Sequence, residues 1–333
     1  MGSKMLIDAT HAEETRVVVV DGNKVEEFDF ETLNKRQLAG NIYLAKVTRV
    51  EPSLQAAFVD YGGNRHGFLA FSEIHPDYYQ VPVADRKALM EEERAYAEAQ
   101  RAKVRRALRM TDVGVGSRVL EIGCGWGALA EMATSDFGAS LTGVTLSTEQ
   151  LAFAKARMAS SGKLEKTDLR LQDYRDIDDG PYDAVCSIEM IEAVGKEFWP
   201  TYFQTVSQQL KPGGKACIQS IVIDDALFDR YVKSTDFIQQ YIFPGGCLPS
   251  PSEFRRQARL AGLEVIDELK FGPDYAETLR RWRHDFMAQE AQVLTLGFDT
   301  QFLRLWEFYL AYCEAAFDEA NTDVIQFTLQ KKH

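Results

Sequence analysis

The segment Arg118-Val-Leu-Glu-Ile-Gly-Cys-Gly-Trp-Gly127 constrains this chain more than any other. Val119 to Ile122 reads as a buried strand, after which Gly123, Gly125 and Gly127 turn the chain into a helix beginning near Ala128. Glycine tolerates backbone angles that other residues avoid and lets the main chain approach a ligand closely. Such a turn opens a βαβ unit, so a parallel sheet with crossover helices is expected. Alone, it is weak evidence of what is bound, since a dinucleotide or nothing at all would suit it.

The chain beyond it continues the pattern. Ser140 to Leu146 is a second strand, ending in Thr145-Leu-Ser-Thr-Glu-Gln150 with Ser147 as a helix cap. In Leu171-Gln-Asp-Tyr-Arg-Asp176, Asp173 either accepts from an adenine amino group or caps a turn. Pro181 to Ile188 is a third strand, closed by Glu189-Met-Ile-Glu-Ala-Val-Gly195. Leu210-Lys-Pro-Gly-Gly214 reads as the turn before a strand from Ala216 to Ile223. Ligands of such sheets sit at the carboxyl ends of the strands, near which Glu121, Gly123, Thr145, Asp173, Glu189 and Gln219 fall.

The first 90 residues or so have another texture. Short β-type runs cover Arg16 to Asp21, Asn41 to Val50, Gln55 to Tyr61 and His66 to Phe71, separated by glycine turns. They suggest a small barrel or sandwich. A charged stretch from Asp85 to about Met110 reads as a solvated connector helix. The division expected is therefore 1–90, a connector at 91–110, and 111–333.

A net charge of -12 repels the phosphates of nucleic acids and anionic lipids at long range. The 5 cysteines form no CxxC pair, which points to reduced thiols, and the 5 histidines lack zinc-type spacing. No apolar run has the length of a signal peptide or a membrane span, so a cytoplasmic location is expected.

The spacing GxGxG, with Glu121 two residues before the first glycine, is typical of methyltransferases. VLEIGCGWG, GVTLSTEQ, LQDYRD, SIEMIEAVG, FIQQYIFPGGCLPS, FGPDYAETLRRWRHDF and LWEFYLAYCEAAF lie in collinear order. Together they make about residues 93–327 resemble the cyclopropane-fatty-acyl-phospholipid synthase family. The resemblance implies a Rossmann-like class I α/β methyltransferase sheet with flanking helices, S-adenosylmethionine as cofactor, and an unsaturated phospholipid acyl chain as substrate. It also implies peripheral contact with the inner face of the membrane. Cofactor contacts would come from Glu121, Gly123, Cys124, Gly125, Gly127, Thr145, Leu146, Gln150, Gln172, Asp173, Tyr174, Ile188 and Glu189. Family members hold a bicarbonate ion as general base, and the matching positions are Glu192, Gln219, Ile221 and Tyr275. Phe243, Tyr309 and Phe317 would line the acyl pocket. Many members carry histidine where this chain has Gln219 and Ala193, and their upstream Tyr-Ser-Cys segment is not found in this sequence. Ring closure and simple methylation, leaving a methyl-branched or methylene product, both stay open.

Residues 4 to about 94 resemble the start of ribonuclease E/G, through KMLIDATHAEETRVVVVDG, GNIYLAKVTRVEPSLQAAFVDYGGNRHGFLAFSEIHPDYY and VPVADR. That resemblance implies an incomplete OB-fold of the S1 type. In it Phe58 and Phe68 would stack on RNA bases, with Arg65 and His66 at phosphates. Read as pattern alone, both phenylalanines are core. An RNA-binding protein or RNA methyltransferase, and a folded but inactive fusion, remain as alternatives to the lipid enzyme.

Overall fold

The computed structural model describes residues 4–11, 14–21, 24–32, 46–51, 56–60, 67–70 and 83–332, with side-chain environments at Thr48 and from Arg94 onward. The chain divides into two compact units, one of residues 1–80 with 289–300 and one of 81–288 with 301–333.

The first unit holds two separate antiparallel meanders. One is β1 (Lys4–His11), β2 (Glu14–Asp21) and β3 (Lys24–Thr32). The other is β4 (Lys46–Glu51), β5 (Ala56–Asp60) and β6 (Gly67–Ala70). Among the described residues these strands do not join into one barrel. Phe58 and Phe68 are cross-strand partners on β5 and β6, whereas Arg65 and His66 lie outside the described residues.

The second unit opens with the helix α1 (Val83–Met110). Its last turns are not a solvated connector: Ala107 is fully buried, and Val104 and Leu108 are buried in one cluster with Leu129 and Val119. Apolar positions recurring three and four residues apart give that part of the helix a core face, which the charged first turns concealed. Then follow β7 (Arg118–Ile122), α2 (Ala128–Ser135), β8 (Ser140–Thr145), α3 (Thr148–Ser160), β9 (Thr167–Leu171), β10 (Tyr182–Ile188), α4 (Trp199–Gln209) and β11 (Leu210–Ile223). After these come α5 (Asp225–Tyr231), α6 (Phe237–Tyr241), α7 (Pro251–Leu260), β12 (Leu263–Lys270), α8 (Gly272–Ala288), α10 (Thr300–Asp318) and β13 (Thr322–Lys331). The short helix α9 (Glu290–Thr295) belongs to the first unit.

The seven strands of this unit lie in the order β12-β13-β11-β10-β7-β8-β9, with β13 antiparallel to both neighbours. The segment 210–214 is not a separate turn but the start of β11: Leu210 already pairs with Tyr182, and an irregularity intervenes before Ala184 meets Lys215. Core packing fills both faces. Tyr202, Phe203, Phe254 and Phe327 are fully buried on one side, and Leu108, Leu141 and Met158 on the other. Ser147 accepts from the Gln150 backbone N–H, so the sequence-predicted cap starts α3.

Two strand registers set the place of Gln219 at the centre of this sheet. Ile188 lies opposite Gln219 across β10 and β11, and Gln219 lies opposite Gln326 across β11 and β13. A bulge between Val265 and Asp267 shifts β12 so that Asp267 pairs with Thr328, on the same face as Gln326.

Candidate active site

The glycine loop leaves the carboxyl end of β7 as expected. Gly123, Gly125 and Gly127 have φ of 81°, 49° and 80°, the left-handed region that glycine enters without cost. At Gly123 a Cβ would also stand 2.9 Å from Met190 Cγ, so the loop lies directly on the turn after β10. The Gly123 and Cys124 N–H groups donate to Val144 O at 3.0 and 2.9 Å, which ties the loop to β8. Cys124 is buried, and burial pushes its thiol up to about 12. Beneath the loop Glu121 is buried, and its Oε2 has no hydrogen-bond partner. Burial raises its carboxyl well above the ordinary range. An unpaired acceptor at a strand end beneath a glycine turn fits a ligand that brings its own donors, as the amino acid part of S-adenosylmethionine does.

At the end of β8, Thr145 Oγ1 donates to Gln150 Oε1 at 2.9 Å, and Leu146 is 73% exposed beside them. Gln172 donates through Nε2 to Asp176 O at 2.8 Å. Asp173 caps a short turn: its Oδ1 accepts from the Arg175 backbone N–H, and its carboxylate grips the Arg175 guanidinium at 2.9 and 2.7 Å. The Arg175 guanidinium holds the Asp173 carboxyl below its usual value. Asp173 thus caps a turn, one of its two sequence readings. Tyr174 packs edge-on to Tyr202 at 5.7 Å.

The four residues matched to the deprotonation site come together. Glu192 Oε1 accepts from the Ile221 N–H at 2.5 Å. Gln219 Nε2 donates to Glu189 Oε1 at 2.5 Å and to Tyr275 OH at 3.1 Å, and the Tyr275 hydroxyl also donates to Glu189 Oε1. Glu189, which the sequence placed among the cofactor contacts, is thus turned toward Gln219 and Tyr275. Glu192 Oε2 is buried without a partner. Burial first, and then the nearby Glu189 charge, push the Glu192 carboxyl up to about 8.

Sequence reasoning missed the residues behind this cluster. Lys103 on α1 places Nζ 4.0 Å from Glu189 Oε1 and 5.8 Å from the Tyr275 ring centre. Arg106, one turn on, donates to Gln326 Oε1 at 3.0 Å and also pairs with Asp267. Gln326 Nε2 donates in turn to Gln219 Oε1 at 2.9 Å. The available signal was Gln326 itself, a glutamine inside the apolar strand sequence VIQFTL.

Aromatic rings adjoin the cluster. Tyr275 lies 5.6 Å from buried Phe317, Tyr309 lies 5.0 Å from Trp306, and Phe243 reaches Tyr309 at 6.3 Å from a largely exposed position. Two surface depressions, one lined by Arg118, Ser140 and Asp168 and one by Ile177, Gln209 and Pro212, sit at the opposite, amino-terminal ends of the strands.

The family model described as mycolic acid cyclopropane synthetase matches residues 87–327. The chain belongs to that family. It is 45% identical over 234 residues to the tuberculostearic acid methyltransferase UfaA1 of Mycobacterium tuberculosis, covering 70% of this chain and 54% of that protein. It is 36% identical over 238 residues to the cyclopropane-fatty-acyl-phospholipid synthase of Escherichia coli K12, covering 70% of this chain and 58% of that protein. The chain therefore spans little more than half the length of these relatives. The crystal structure of the mycolic acid cyclopropane synthase CmaA1 complexed with SAH and CTAB superimposes with a TM-score of 0.65 at 30% identity. That likeness covers 71% of this chain and 85% of the other. The family match begins at residue 87 and lends no support to the ribonuclease-like reading of the segment before it.

Proposed function

We propose that this chain transfers a methyl group from S-adenosylmethionine to a double bond in the unsaturated fatty acyl chain of a phospholipid. The observation that carries the reading is one contact. The glycine loop, with the buried Glu121 carboxyl and its unpartnered Oε2 beneath it, lies against Met190, inside the turn that holds Glu189 and Glu192 beside an aromatic cluster.

Gly123, Gly125 and Gly127 would carry the methionine part of the cofactor. Thr145, Leu146 and Gln150 would frame its ribose, with Gln172, Asp173 and Tyr174 on the adenine side and Cys124 and Ile188 flanking the loop. When bound, S-adenosylmethionine supplies an electrophilic methyl group. An alkene is a poor nucleophile, so the chain's task is to hold the double bond in line and to keep water from the cation that forms. The faces of Tyr275, Tyr309 and Phe317 suit a positive carbon. The names of the similar proteins include both a methyltransferase and cyclopropane synthases, in keeping with either a methylated or a ring-closed product.

The acyl chain must come from a bilayer surface. Among the described residues no helix is long and apolar enough to cross a membrane. Tyr241, Phe243 and Phe308 are 60%, 56% and 52% exposed, and Phe237 packs edge-on to Phe308 at 4.7 Å. Exposed rings next to the aromatic cluster suit peripheral contact at the headgroup level.

The test is release of S-adenosylhomocysteine by the full chain on vesicles of unsaturated and of fully saturated phospholipid. Release on the unsaturated vesicles alone is expected. Equal release on both, or none on either, would overturn the reading.

A further inference from the structure

We infer that Glu189 is the chain's own proton acceptor, its carboxylate filling the place where the family resemblance puts a bicarbonate ion. The inference rests on the acyl-methylation reading.

The residues present do not fit a bound bicarbonate. The donors of Gln219, Ile221 and Tyr275, three of the four positions that the resemblance assigns to the ion, are already engaged by carboxyl oxygens of the chain. The Ile221 N–H goes to Glu192 Oε1, while Gln219 Nε2 and the Tyr275 hydroxyl go to Glu189 Oε1. An anion could enter only by displacing Glu189, and it would then stand beside a like charge.

Glu189 is held there against backbone preference. Its φ is 52°, the left-handed region, which a non-glycine residue occupies only when its surroundings over-determine it. Those surroundings are polar and directional. Arg106 can only donate, so Gln326 must turn Oε1 toward it and Nε2 toward Gln219. Gln219 must then turn Oε1 toward Gln326 and Nε2 toward Glu189 and Tyr275. Both glutamines are fully buried, and neither amide can flip without leaving a buried polar atom unpaired. Asp267 fixes Arg106 from the other side, and Lys103 balances the Glu189 charge.

The anchored oxygen is Oε1. Among the described residues Oε2 takes no hydrogen bond, and the side chain is 31% exposed. Glu192 differs: its Oε1 is tied to the Ile221 N–H and its whole carboxyl is buried, with burial pushing it up to about 8, so at neutral pH most of it already holds a proton.

Methyl transfer to one alkene carbon leaves the positive charge on its neighbour. Glu189 Oε2 removes a proton, and the electron pair of the broken C–H bond forms the new bond. A proton taken from the added methyl closes a cyclopropane ring; one taken from an adjoining chain carbon leaves a methyl-branched alkene. The proton then passes from Glu189 to solvent, to which the side chain is partly open.

The experiment compares the parent full chain with Glu189→Gly and Glu189→Gln. First, ¹³C-labelled bicarbonate is titrated into each protein without S-adenosylmethionine, and line broadening is read by NMR. Glycine adopts the positive φ freely, so Glu189→Gly should fold and present an open anion site. Broadening is expected with Glu189→Gly alone. Second, turnover on unsaturated phospholipid vesicles in bicarbonate-free buffer should fall about 100-fold or more in both variants. Added bicarbonate should restore Glu189→Gly about tenfold or more and leave Glu189→Gln and the parent unchanged. Broadening by the parent, or a Glu189→Gln protein that turns over like the parent, would overturn the inference. Should the parent be inactive on every unsaturated lipid, the methylation reading fails by itself, and the titration still decides whether Glu189 closes the anion site.

Discussion

The Ile221 main-chain N–H donates to Glu192 Oε1 at 2.5 Å, while the other oxygen of that carboxyl is buried with no partner. Burial, and then the nearby Glu189 charge, favour the protonated form against the pull of that hydrogen bond. The carboxyl rises from an ordinary 4.5 to about 8 on folding. The folded state then binds this proton more tightly than the unfolded chain does. Its stabilising contribution is full below about pH 4.5 and is lost as pH rises toward about 8. Thermal unfolding followed from pH 5 to 9 should show Tm falling across that window. Glu192→Gln should flatten the slope. An equal slope in the variant would place the effect elsewhere.

Gly123 and Gly125 share a left-handed backbone but not a neighbourhood. A Cβ at Gly123 would strike Met190 Cγ at 2.9 Å, whereas one at Gly125 meets nothing within 4 Å. Gly125→Ala should cost about 1–2 kcal/mol of backbone strain, and Gly123→Ala more than that. Calorimetric titration with S-adenosylmethionine should show binding weakened in Gly125→Ala and abolished in Gly123→Ala, with Tm falling in the same order.

Gln326→Leu removes the amide between Arg106 and Gln219. The Gln219 carbonyl is then buried without its donor, costing about 1–3 kcal/mol. Gln326 is a positioning residue, since it acts through Gln219. Its loss should lower kcat more than KM for the lipid, and Gln326→Asn should not restore the rate, because the shorter side chain cannot span both partners. A variant with lower Tm but unchanged kcat would show a purely structural role.

Tyr241→Ser with Phe308→Ser removes two exposed rings next to the aromatic cluster. Co-sedimentation with unsaturated phospholipid vesicles should weaken about tenfold, while S-adenosylmethionine binding in solution stays unchanged. Unaltered sedimentation would remove this surface from the membrane contact.

Local features of the fold were legible in the sequence. The glycine loop, the Ser147 cap and the strands β7, β8 and β10 follow from short-range patterns. The grouping of Glu192, Gln219, Ile221 and Tyr275 was legible only through family resemblance, because separate segments of the chain supply it. The support behind that group was not legible. Lys103 and Arg106 belong to a helix whose charge suggests a connector, and they meet β13 only after the sheet has formed. Asp267 reaches Arg106 because a bulge shifts its strand, which no alternation pattern announces. The start of β11 reads as a turn because Pro212, Gly213 and Gly214 are turn residues, yet an irregular register lets the strand run through them. Glu189 was legible by its position at a strand end, but its positive φ and its contact with Tyr275 were not.

The most direct test of acyl methylation uses S-adenosylmethionine with a fully deuterated methyl group, the purified full chain and vesicles of an unsaturated phospholipid. Acyl chains are then released and weighed by mass spectrometry. Methylation of the double bond predicts acyl chains that have gained one labelled carbon and lost the original double bond or moved it. Two retained deuterium atoms would mark loss of a proton from the added methyl, and three would mark loss from the chain. A folded protein that binds S-adenosylmethionine but leaves the acyl mass unchanged would contradict the proposed function.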